Sequence, residues 1–88
     1  MTYKDFSEHV LCGREIEFDY QKVNYIITDY NNTATLENCD TGDKIYFGEK
    51  TRTLDDRFNG RKMMLKNAIF NGKRFEEIFD QINIQWVL

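Results

Sequence analysis

REIEFDYQKVNYIITDY, residues 14 to 30, decides the fold. Its first half alternates without a fault: Ile16, Phe18 and Tyr20 share one side of an extended chain, and Glu15, Glu17 and Asp19 the other. Successive strand side chains point to opposite faces, so this is a strand with one dry face and one wet face. The alternation resumes after Gln21 and Lys22 with Val23, Tyr25 and Ile27. The two runs read as an antiparallel hairpin, although the residues between them are not the favoured Asn-Gly pair. A hairpin with one apolar face needs a layer to cover it, and the rest of the chain must supply that layer.

Downstream, Asn31 and Asn32 tolerate positive φ and mark a second turn. TATLEN (33 to 38) reads as a third, weaker strand, CDTGDK as a turn around Gly42, and IYF (45 to 47) as a fourth strand. Upstream, TYKDFSEHVLCG reads as a helix: Thr2 and Asp5 can cap it reciprocally, Tyr3, Phe6, Val10 and Leu11 form its stripe, and Gly13 ends it. Beyond Glu49, Thr53 is a candidate cap for a helix whose Leu54, Phe58 and Leu65 share a face. Asn59-Gly60 either breaks that helix or is carried inside it at a cost of about 1 kcal/mol. Asn71-Gly72 is a second break, and a last helix runs from near Lys73 to near Gln81.

The tail RFEEIFDQINIQWVL (74 to 88) changes period halfway. Phe75, Ile78, Phe79 and Ile82 repeat as a helical face, whereas Ile82, Ile84, Trp86 and Leu88 alternate as a strand. A short helix turning directly into a strand of the same sheet produces this double period. On plain alternation Trp86 belongs to the core; on an exposed edge strand it would instead be displayed to a partner. The expected architecture is α+β: an antiparallel sheet, made of a four-strand meander plus a C-terminal strand, packed with two to three short helices in a single domain spanning 1 to 88.

A chain of 88 residues supports one core. Seven Phe, five Tyr and one Trp must provide much of it. Proline is absent, so there is no PxxP ligand and no Pro-rich linker. No apolar run reaches the roughly 18 residues needed to cross a bilayer, and MTYKDFSEHV lacks the basic and apolar regions of a signal peptide, so a cytoplasmic protein is expected. In that compartment Cys12 and Cys39 are expected to stay reduced.

Two stretches, GREIEFDYQKVNYIIT (13 to 28) and NGKRFEEIFDQI (71 to 82), resemble a group of short, mostly uncharacterised proteins of low-GC Gram-positive bacteria and their phages and plasmids. The resemblance implies a shared small α+β fold and a phage or mobile-element context. It brings no catalytic motif to any residue of this chain.

The residues themselves argue against an enzyme. His9 and Cys12 are three apart on the first helix, but they lack the third partner that nucleophilic catalysis requires. With Cys39 and Asp40 they do not have the paired, tightly spaced ligands of a zinc site. The glycines at 13, 42, 48, 60 and 72 make no phosphate loop. No metal and no cofactor are expected. Binding remains, and the charge distribution gives it two faces: net charge is -3 overall, but residues 1 to 50 carry -5 and residues 51 to 88 carry +2. The basic stretch KTRTLDDRFNGRKMMLK (50 to 66) offers Arg52, Arg57, Arg61, Lys62 and Lys66. The acidic set is Glu15, Glu17, Asp19, Asp29, Glu37, Asp40 and Asp43, suited to steering a basic partner. The leading expectation is a small non-enzymatic protein-interaction module, a regulator or inhibitor of a host protein, with Trp86 and the basic residues as contacts. The rival is a nucleic-acid-contacting module using the 50 to 66 segment. A homodimer through an edge strand is a further expectation, and a membrane partner is not.

Overall fold

A computed structural model describes residues 1 to 50 and 54 to 88, with side chains described from Arg57 onward in the second segment. Helix α1 (Tyr3–Leu11) leads into strands β1 (Ile16–Tyr20), β2 (Val23–Tyr30), β3 (Thr33–Asn38) and β4 (Lys44–Phe47). Helix α2 (Leu54–Asn67), the single-turn α3 (Phe75–Ile78) with a 3₁₀ turn behind it (Phe79–Gln81), and strand β5 (Asn83–Val87) complete the chain. The strands form one antiparallel sheet in the order β4-β3-β2-β1-β5. The meander is as expected, and the tail does return to the same sheet, beside β1.

Local chemistry explains the turns. Gln21 and Lys22 both adopt positive φ (50° and 66°), the backbone of a type I′ hairpin, and Asn71 Nδ2 donates to Gln21 Oε1 at 2.9 Å. Asn31 and Asn32 repeat the geometry at lower cost, since asparagine tolerates the left-handed region. Thr2 and Asp5 form the reciprocal cap of α1. The Thr2 backbone N–H holds the Asp5 carboxyl below its ordinary value, and the Arg74 backbone N–H does the same for Glu77 at α3.

The helices lie on one face of the sheet, where an aromatic cluster fills the core. Phe75 sits at its centre, with ring centroids 4.8 Å from Phe70, 5.5 Å from Phe6 and 5.7 Å from Phe18. Offset and edge-on contacts such as these add to the area burial that drives packing. Strand β3, a weaker strand by its sequence, is buried from Thr33 through Leu36. It lies inside the sheet between β2 and β4, with α2 over one face.

Of the two courses open to the helix over the basic segment, the chain takes the continuous one, with Asn59-Gly60 inside α2, and Gly60 lies against the sheet. The face expected of this helix needs correction, and so does the tail. A methyl group on Gly60 would sit 2.5 Å from the Phe47 carbonyl oxygen and 3.1 Å from Ala34 Cβ, and the backbone of Gly48 faces it closely. From Arg57 onward the buried residues of α2 are accordingly Gly60, Arg61 and Met64, with Ala68 buried just past its end; Phe58 is exposed and Leu65 half-buried. The expected cap at Thr53 lies outside the described residues, as does the Leu54 side chain.

The second correction concerns the tail. A bulge opposite Glu17 and Phe18 shifts the register, so that Phe18 pairs with Ile84 and Ile16 with Val87. Ile84 and Val87 therefore face the core, and Trp86 turns to the opposite face, beside Glu17.

Gly60→Ala should lower stability by about 2 kcal/mol or more despite the higher helix propensity of alanine, because the methyl has no room. Urea unfolding monitored by circular dichroism reads this directly; a stabilised variant would contradict the close approach.

Candidate interaction surface

The pairing registers place side chains across the sheet in rows. One row, a residue from each strand, runs Trp86, Glu17, Ile26, Glu37, Lys44. Its neighbour contains Thr28, Thr35 and Tyr46. Both rows lie on the face opposite the helices, because Ile16, Phe18, Ile27, Ala34 and Leu36 occupy the alternate, core-facing positions. Among the described residues no helix covers this outer face.

Its polar groups are held in place. Asp19 accepts from Asn24 Nδ2 through Oδ1 and from Gln85 Nε2 through Oδ2, each at 2.8 Å. Glu15 accepts from the Thr28 hydroxyl at 2.7 Å. Lys44 lies 3.9 Å from Glu37 and 5.0 Å above the Tyr30 ring. The Tyr30 and Tyr46 rings stand 6.4 Å apart and are about half exposed, at 51% and 50%. Trp86 is 37% exposed. Among the described residues the surface thus combines aromatic area with the carboxylates Glu15, Glu17, Asp19 and Glu37 and the ammonium of Lys44. Aromatic groups of this kind anchor interfaces, and a net negative field attracts cationic groups. The same environment acts on Cys39, whose thiol is pushed up by burial and then by Glu37 and Glu17.

The residues singled out by sequence do not form one site. Trp86 lies on the outer sheet face, and Arg57, Arg61, Lys62 and Lys66 lie on α2. Lys62 and Lys66 are exposed, flanking a groove with Tyr3, Leu65 and Arg74. Arg57 is turned to Asp29, 3.8 Å away. Arg52 lies outside the described residues. Arg61 is the clearest departure from expectation. It is 1% exposed, and its guanidinium donates to the carbonyls of Val10 (3.1 Å), Gly13 (3.4 Å) and Arg14 (2.6 Å) and twice to Asp29 Oδ1 (3.2 Å each). All five of its N–H donors are engaged, so it has none to offer a partner. Asp29, placed by sequence with the surface acids, sits on the core side opposite Ala34 because its partner there is Arg61.

Sequence reasoning passed over Tyr30, Tyr46 and Ile26 as contact groups. Their position on the wet face was available from the alternation of β2 and β4, but only the sheet order shows that they stand beside one another. Among the described residues no cluster of three metal-ligating side chains occurs, and Cys12 and Cys39 are free thiols. No helix there is long and apolar enough to cross a membrane. Compared with protein-family models, curated proteins and solved structures, the chain matches none.

Trp86 is the one tryptophan, so its fluorescence reports on this face. Acrylamide should quench it readily, and caesium should quench it better than iodide because Glu17 lies beside it. Glu17→Gln should narrow that difference. Emission that resists acrylamide would place Trp86 in the core, as plain alternation would have it.

Proposed function

We propose that the protein is a non-enzymatic protein-interaction module that receives a basic surface of another protein on the outer face of its sheet. The observation that carries this reading is the row Trp86, Glu17, Ile26, Glu37, Lys44, bordered by Tyr30 and Tyr46, on a sheet face with no layer over it among the described residues. Aromatic rings supply contact area, the held carboxylates Glu15, Asp19 and Glu37 supply register, and with Glu17 they supply steering. The resemblance of residues 13 to 28 and 71 to 82 to phage- and plasmid-associated proteins suits a regulator or inhibitor of a host protein, working in the cytoplasm. The nucleic-acid reading draws less support, since Arg61 is buried and Arg57 faces Asp29, which leaves Lys62 and Lys66 as its exposed members among the described residues.

The test is capture from host lysate with nuclease present, using wild type, Trp86→Ala, Glu17→Lys with Glu37→Lys, and Lys62→Glu with Lys66→Glu. A stoichiometric protein should bind wild type and the lysine variant, weaken as salt rises, and be lost from both sheet-face variants. Retention by the sheet-face variants, or recovery of nucleic acid that only the lysine variant abolishes, would replace this reading with its rival.

A further inference from the structure

On the helical side of the molecule, away from the outer sheet face, a cavity of about 270 Å³ opens where the end of α1 meets α2. Leu11, Cys12 and Phe58 form its apolar lining, and Asp29, Arg57 and Arg61 its polar one. Two guanidiniums therefore meet one carboxylate. Arg61 has no spare donor, and both of its bonds to Asp29 end on Oδ1. Asp29 Oδ2 faces Arg57 Nη1, but at 3.8 Å, beyond hydrogen-bond range. Arg57 Nε is buried and lacks an acceptor among the described residues. A charged N–H removed from water without an acceptor is costly, and a native structure that keeps one invites a ligand acceptor.

The chemistry of that acceptor follows from the surroundings. With Nη1 turned to Asp29, the Nε side of the Arg57 guanidinium is the edge left without an acceptor among the described residues, and a planar carboxylate matches such an edge with two parallel bonds. Among the described residues the surplus at the site is a single positive charge, and the Asp29 carboxylate would repel a second negative charge, which disfavours a phosphate dianion. Phe58, 42% exposed, and Leu11 offer apolar contact for the rest of the ligand. We propose that the cavity bounded by Arg57, Asp29 and Phe58 is a binding site for a small carboxylate that carries an apolar group. It is independent of the sheet face, so the two readings stand or fall separately.

The probes are benzoate, acetate and inorganic phosphate, titrated into the full chain while the Arg57 side-chain Nε–H and the backbone amides of residues 11 to 13 and 58 are followed by NMR. Benzoate should shift these resonances saturably and bind more tightly than acetate or phosphate. Arg57→Gln should weaken benzoate at least about tenfold, the usual scale for loss of a charge-assisted hydrogen bond. Arg57→Lys, which keeps the charge, should weaken it too, because the ammonium has no planar edge. Phe58→Ala should weaken benzoate and leave acetate unchanged. Amide spectra away from the cavity serve as the folding control for each variant. Absence of a saturable shift with benzoate, equal affinity in a folded Arg57 variant, or tighter binding of phosphate than benzoate would each overturn the assignment.

Discussion

The guanidinium of Arg61 joins three parts of the chain that are far apart in sequence. Its donors reach the carbonyls at the end of α1, the connection into β1, and the carboxylate of Asp29 on β2. The last carbonyls of a helix have no partner within it and carry its negative end, so a buried cation there satisfies hydrogen bonds and charge together. A buried arginine is tolerable only when every donor is used and a counter-ion is present, and both conditions hold. The consequence is geometric. With Arg61 pinned in this position and Gly60 pressed against Phe47, α2 has one place to lie on the sheet.

That placement sorts the charges of the molecule. The helical layer takes the exposed Lys62, Lys66 and Arg74, and the opposite sheet face takes Glu15, Glu17, Asp19 and Glu37. Four of the ten acids in the first half of the chain thus share one surface. The bulge in β5 has a parallel effect at the edge: by inserting a residue it keeps Ile84 and Val87 in the core and rotates Trp86 outward, next to Glu17. Bulges commonly re-aim side chains at sheet edges, and this one adds an aromatic ring to the acidic face.

The elements governed by simple periods were legible in the sequence. REIEFDY and VNYIITDY paired as their alternation required, Thr2 and Asp5 capped α1, and the double-period tail did become a helix followed by a strand in the same sheet. What escaped were positions where tertiary contact overrides local pattern. Gly60 looks like a helix breaker until the Phe47 carbonyl is set against it, and Arg61 looks like surface charge until the end of α1 is brought to it. Among the described residues the stripe that α2 buries, Gly60, Arg61 and Met64, has an arginine and a glycine at its centre, so hydrophobic periodicity had little to detect there. The outer-face surface was half legible: alternation marks its acids, but a bulge has no sequence signature in INIQWVL, and Trp86 was assigned by a period that the chain breaks.

The most direct test of this account is urea unfolding of Arg61→Met beside Lys62→Met. Removing one partner of a buried ion pair leaves the other uncompensated, so Arg61→Met should lose about 3 to 5 kcal/mol, or fail to fold without denaturant. Lys62→Met, an exposed neighbour on the same helix, should stay within about 0.5 kcal/mol of wild type. Equal, small effects at both positions would mean that Arg61 is an ordinary surface cation, and the placement of α2 would need another cause.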